Sequence, residues 1–454
     1  MTFAPMASAP PEARGDAPPR SAPLTVLVLG AYGLVGAVVA DRLAAAGHRV
    51  TGIGRQVEAA RRARPHVDWK AQDIARLGRA EDWAPLLVGV DAVVNCAGAL
   101  QDGARDDVQA VQSVAMRALF EACDAARMGC VVQVSAVGAA ADASTAFMRS
   151  KAEADAALAR AACPWVVLRP GLVLAQQAYG GTALLRALAA WPGPVPLPLV
   201  GAEVQTVPVG VVADAVLDAV EGRLALRATY NLLEDRPHRL ADCVAALRAW
   251  LGRPPARSLP APFALARMLA WGGDLLGLLG WRPPLRSTSL AELARGVRGD
   301  PEPWAQATGR RVPALAETLA AMPATVQEKW FGRLWLLRPA MIAVLSVFWA
   351  ASGIVALLRP AEAAAVLTAR AVPEAFAVAA VLLGAAADLA LAVLMLHRRT
   401  MPFAARGMVA VTLAYLAGGS LLAPDLWLDP LGPLLKPIPA MLPALVLLAT
   451  EEER

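Results

Sequence analysis

Cysteine and histidine are scarce in this sequence, and neither is spaced for a site. The five cysteines, Cys96, Cys123, Cys130, Cys163 and Cys243, are odd in number and form no C-x-x-C pair. That argues against a disulfide framework or zinc centre and predicts buried free thiols in a reducing compartment. The four histidines, His48, His66, His238 and His397, are too scattered for a metal cluster, so no metal site is expected. Long basic blocks are also missing. The net charge of +5 is spread over arginine-rich loops, which does not indicate a nucleic-acid partner. Residues 1–23 are rich in Ala and Pro and lack the basic-then-apolar order of a signal peptide. They read as a disordered tail, which leaves the following fold on the cytoplasmic side.

What is abundant is apolar. Hydrophobic residues make up 57% of the 454-residue chain, and most of the excess lies after Trp330. The length predicts more than one domain. Near the start, residues 24–36 read LTVLVLG-AYGLVG: a β-branched run that ends at Gly30, with Gly33 and Gly36 following as a helical pattern begins. A strand, a glycine turn and a helix N-terminus in succession favour a pyrophosphate, held by backbone N–H groups and the helix dipole. Side chains at those glycines would block the close approach of phosphate to backbone and of helix to strand.

Further strands are expected at 48–54, 67–69, 91–98, 130–135, 164–173 and 229–233, with helices at about 37–47, 106–128, 150–162 and 239–251. This alternation predicts an α/β fold with a doubly wound parallel sheet, whose ligands lie at the carboxyl ends of the strands. Arg55 directly follows the second strand, where arginine suits a ribose 2′-phosphate and an acid would suit the 2′-OH. NADP is therefore expected rather than NAD. Residues 176–198 read as an irregular Pro-rich loop and 254–262 as a linker. Residues 263–280 are apolar but interrupted and short for a span. They fit an interfacial helix or a cap over the substrate cleft.

Over residues 24–231 the chain resembles the short-chain dehydrogenase/reductase superfamily in its extended or atypical branch, a Rossmann fold. The resemblance rests on Gly30-Ala-Tyr32-Gly33-Leu34-Val35-Gly36, Asp73, Asn95-Cys-Ala97-Gly98, Ser135, Lys151 and Arg169-Pro170-Gly171. It implies that the glycine motif, Arg55, Asp73, Asn95, Ala97, Gly98, Lys151 and Pro170 bind the cofactor. Asp73 would bond the adenine, Lys151 would hold the nicotinamide ribose, and Ser135 would hold a substrate carbonyl. The family's Tyr-x-x-x-Lys stands here as Phe147-Met-Arg-Ser-Lys151. Phenylalanine has no ionisable hydroxyl to pass a proton to a carbonyl oxygen. Phe147 as a stacking surface and Tyr179 as a substitute donor both remain open.

After Phe331, apolar stretches at about 334–358, 376–396, 403–423 and 434–450 approach the ~20 residues that cross a bilayer, the fourth weakened by Pro437, Pro439 and Pro443. They predict an all-α four-helix transmembrane bundle. Lys329, Arg333, Arg338, His397, Arg398, Arg399 and Arg406 favour one side, placing both termini in the cytoplasm. Asp388 lies mid-span, where proton, quinone and packing roles are equally open. The spans and the ends Lys436-Pro-Ile-Pro and Glu451-Glu-Glu-Arg454 resemble the DoxX-like membrane family. The expected domains are therefore 24–253 (nucleotide-binding), 254–330 (substrate lobe and linker) and 331–454 (membrane). The Ala-, Arg- and Pro-rich composition suits a bacterium with a GC-rich genome, and hence the inner membrane. The expected function is an NAD(P)-dependent oxidoreductase acting on a quinone or another lipophilic acceptor. The alternative is a non-catalytic NADP-binding scaffold or redox sensor of a membrane complex.

Overall fold

The computed structural model describes residues 22–98, 100–103 and 107–451. The expected tail lies outside these except for its last two residues, as do the first residue of the helix expected at 106–128 and the final three of the chain. The described chain forms two compact units, residues 22–274 with 283–329, and residues 275–282 with 330–451.

The first unit is built on seven parallel strands: β1 Thr25–Leu29, β2 Arg49–Gly54, β3 Asp68–Ala71, β4 Ala92–Asn95, β5 Cys130–Val134, β6 Trp165–Pro170 and β7 Ala228–Leu232. Their spatial order is β3-β2-β1-β4-β5-β6-β7. The sequence of β1 explains its central place: Val26, Leu27, Val28 and Leu29 are all fully buried. A strand covered on both faces reads as a continuous apolar run. Val26 and Val28 face one core with Val39 and Leu43 of helix α1 (Leu34–Ala45). Leu27 and Leu29 face a second core with Met116 and Leu119. Leu158, on helix α2 (Ala146–Ala159), belongs to that second core.

Three local expectations are revised. The strand expected at 164–173 breaks at Gly171, and Leu172–Leu174 leaves the main sheet to pair with Thr206–Pro208. A side chain at Gly171 would strike the Gln205 carbonyl and Leu233. Residues 176–198 contain a helix, Gly180–Ala189, whose Ala183, Leu185 and Ala187 are buried; the two leading glycines hide this in the sequence. The expected linker at 254–262 supplies Ser258–Pro260, a strand parallel to Val195–Leu197. Residues 263–280 form helix α3, Phe263–Leu278, and helix α4 follows at Ser287–Arg295.

The second unit is helical. Helices α5 (Leu337–Leu358), α6 (Glu374–Leu396) and α7 (Met401–Leu422) account for three helices long and apolar enough to cross a membrane. The fourth apolar segment is helix α8, Pro437–Ala449, of 13 residues. At 1.5 Å per residue it is about 20 Å long, short of the ~30 Å hydrocarbon core. It starts late because Pro437 and Pro439 suit a helix's first turn and not its interior. Helices α5 and α6 meet where Gly353 faces Ala385 and Leu389. Ser352 donates a hydrogen bond to Asp388 at 2.7 Å, so the mid-span carboxylate has a partner on the neighbouring helix.

Candidate dinucleotide site

The strand order reverses between β1 and β4, which opens a crevice at their carboxyl ends. Beyond Leu29 the chain turns at Gly30 with φ +69°, and a Cβ there would lie 2.9 Å from the Ala97 backbone. Gly33 donates to the Gly30 carbonyl at 2.9 Å and caps α1, and Ala37 donates back to Gly33 at 3.0 Å. The N–H groups of Leu34, Val35 and Gly36 therefore have no acceptor within α1. A Cβ on Gly36 would collide with the Gly30 carbonyl. The first turn carries no acidic side chain. Both the steric room and the charge suit a pyrophosphate.

At the next strand ends, the Tyr32 hydroxyl accepts the Arg55 backbone N–H at 3.3 Å. The Tyr32 ring lies against Gly54, where any side chain would collide with it. The Arg55 side chain is exposed. Gly54 pairs with Ala71 of β3, and Asp73 follows two residues later. Its carboxylate accepts the Ala75 N–H at 3.2 Å. The tips of β2 and β3 thus carry Arg55 and Asp73 beside the cradle.

Past β4, Asn95 is buried and shapes the loop. Its Oδ1 accepts the Ala97 N–H at 2.9 Å, and its Nδ2 donates to Gln133 at 2.8 Å. Gly98 lets this loop approach Lys151, whose Nζ would lie 3.3 Å from a Cβ at that position.

The opposite end is held by β5 and α2. Lys151 is buried and donates to the Val134 carbonyl at 3.0 Å, and burial holds its amine below the usual lysine range. Phe147 lies one turn earlier on α2, half-buried. The Ser135 hydroxyl donates to Asp155 at 2.8 Å, and Arg169 donates to the same oxygen at 2.8 Å. Burial pushes the Asp155 carboxyl up, and the Arg169 guanidinium opposes it. Thr145 caps α2 by accepting the Met148 N–H at 3.3 Å, while its own hydroxyl donates to Glu292 of α4. Glu292 also accepts from Arg295 at 2.9 Å, and Arg295 donates to the Gly138 carbonyl at 3.2 Å. Pro170 ends β6, and Tyr179 is 47% exposed at the start of Gly180–Ala189.

Asp155 and Glu292 are the residues that motif reading missed. Asp155 had a signal, since it stands four residues after Lys151 on one helix face. Glu292 had none, being 147 positions from Thr145.

Residues 30–196 match the NAD(P)H-binding family, and residues 346–446 match the DoxX-like family. The chain thus joins an NAD(P)H-binding segment on a Rossmann fold to a DoxX-like segment. Solved structures resemble the Rossmann domain at low identity. Bordetella bronchiseptica WbmH, in complex with NAD+, is 17% identical with TM-score 0.50, covering 66% of this chain and 96% of its own. The NADPH-dependent quinone oxidoreductase QOR2 from Escherichia coli is 17% identical with TM-score 0.50, covering 65% and 98%. A nucleoside-diphosphate-sugar epimerase from Staphylococcus aureus is 13% identical with TM-score 0.50, covering 65% and 99%. These share the fold. No curated protein matches in sequence. The Rossmann match begins at Gly30, the first residue of the cradle, and contains Asp73, Ser135, Lys151 and Pro170. The DoxX-like match runs from within α5 into α8 and contains Asp388.

Proposed function

We propose that the Rossmann domain binds NADP(H) and reduces a quinone-type lipophilic acceptor, with the DoxX-like domain anchoring it in a bacterial inner membrane. The single observation that carries this reading is the pairing of a sterically complete glycine cradle with Phe147 one turn before Lys151. When bound, NADPH supplies a hydride and leaves as NADP+, and a quinone accepting that hydride takes one further proton to become hydroquinone. An ordinary carbonyl reduced to an alcohol needs its proton at once, because an alkoxide is about as basic as hydroxide. A hydroquinone anion resembles a tyrosinate, with a pKa of about 10, and can wait for a proton from water. An acceptor of that class tolerates Phe147; a simple ketone or aldehyde does not. The exposed Arg55 at the tip of β2 supports NADP over NAD. The basic residues before α5 and between α6 and α7 support a cytoplasmic Rossmann domain.

The scaffold or sensor reading has one observation in its favour: the Ser135 hydroxyl is bonded to Asp155 and buried, turned to the protein's own network. Titration of the purified full-length protein with NADPH and NADH, followed by oxidation assays with ubiquinone and menaquinone analogues, separates the two. Binding with quinone-dependent NADPH oxidation supports the enzyme. Binding without oxidation by any quinone or aldehyde supports the scaffold.

A further inference from the structure

Helix α3 is apolar on the wrong side for a water-facing helix. Ala266, Ala270, Gly273 and Gly277 form its buried stripe, at a helical spacing that keeps one face against protein. A side chain at Gly273 would strike the Leu285 carbonyl, so this contact needs small residues. The large residues point out: Met268 is 58% exposed, Trp271 57%, Leu275 63% and Leu278 67%. The helix has two charges, and neither breaks this face. Arg267 lies over the Trp271 ring at 5.3 Å, and Asp274 is bonded to Gln101 and Arg286. A surface helix with an outward apolar face marks a partner.

What covers it follows from where its last turn belongs. Residues 275–282 are part of the second unit. There the Trp281 indole donates to the Leu396 carbonyl at 2.7 Å, and the Arg398 N–H donates to the Leu279 carbonyl at 3.2 Å. Leu396 ends α6, and His397, Arg398 and Arg399 lead into α7. If α6 and α7 cross the bilayer, their connection marks its surface, and the last turn of α3 lies at that depth. Sixteen residues make a helix of about 24 Å, too short to span but suited to lie in the interface plane.

We propose that α3 lies in the membrane interface, with Met268, Trp271 and Leu275 in the acyl-chain boundary. This rests on the reading of α5, α6 and α7 as membrane spans. The test is spin-label accessibility in full-length protein reconstituted into phosphatidylethanolamine–phosphatidylglycerol nanodiscs. Labels go on Met268→Cys and Leu275→Cys, with Leu383→Cys on α6 as the membrane reference and Val88→Cys as the aqueous one. Both reference side chains are exposed, at 72% and 82%. The expected result is that 268 and 275 meet oxygen several-fold more readily than a nickel chelate, as 383 does, while 88 shows the reverse. Labels at 268 and 275 that follow 88 while 383 stays in lipid overturn the inference alone. Labels at 268 and 275 sheltered from both probes overturn it in favour of a protein partner or second copy. If 383 follows 88, the membrane reading fails and the inference with it.

Discussion

Replacing Gly36 by alanine sets two physical effects against each other. Alanine is favoured over glycine inside a helix by about 1 kcal/mol, and Gly36 sits in the first turn of α1 with no positive φ to protect. Propensity alone would make Gly36→Ala stabilising. The added methyl, however, meets the Gly30 carbonyl oxygen and carbon and the Ala31 Cα, all backbone atoms that cannot rotate away. Relief requires the start of α1 to move off the tip of β1. That displaces the N–H groups of Leu34, Val35 and Gly36 from the place a pyrophosphate would occupy. A charge-assisted hydrogen bond contributes about 1.5–3 kcal/mol, so losing one weakens NADPH binding by about 10- to 150-fold. Overpacking adds a stability cost of about 1–3 kcal/mol. The assay is isothermal titration of NADPH into folded wild type and Gly36→Ala, with a thermal melt of each. Gly47→Ala serves as control, since Gly47 has φ +89° and open space around it. It should lose about 1–2 kcal/mol of stability through the left-handed backbone and leave NADPH affinity unchanged. Native affinity in a folded Gly36→Ala protein would refute the cradle as the binding site.

Three further outcomes can be measured. Arg55→Asp should weaken NADPH by at least about tenfold through loss of a charge-assisted contact while leaving NADH nearly unaffected, as read by competitive titration. Thr145→Ala removes both the cap of α2 and a hydrogen bond to buried Glu292. It should cost about 2–4 kcal/mol in denaturant melts, combining a cap of about 1 kcal/mol with a buried unsatisfied acceptor of 1–3, and Thr145→Ser should restore most of it. His48 is held below the usual histidine range by burial and then by Arg223, and its Nδ1 accepts the Leu24 N–H at 3.2 Å. The unfolded chain therefore binds the extra proton first as pH falls below about 6.5, and stability drops through that window toward the folded pKa. Melts at pH 7.5 and 5.5 should show a loss in wild type that His48→Gln lacks; an equal loss in both would remove His48 as the cause.

The sequence by itself determined what depends on neighbouring residues. The glycine spacing from Gly30 to Gly36, the buried run of β1, the strand–helix alternation and the apolar lengths of α5, α6 and α7 are local patterns with local causes: backbone room, burial on two faces, and reach across a bilayer. Tertiary structure decided what depends on distant ones. The sequence placed Ser135 at a strand end, but only folding brought Asp155 and Arg169 to its hydroxyl. It started helix α2 at about residue 150, whereas in the fold Thr145 caps it and Glu292 arrives from 147 positions away. Residues 263–280 left an interfacial helix and a cleft cap equally open. Which side of α3 is buried depends on Leu285 and Leu290 packing against its small residues, and no periodicity in the helix itself fixes that choice.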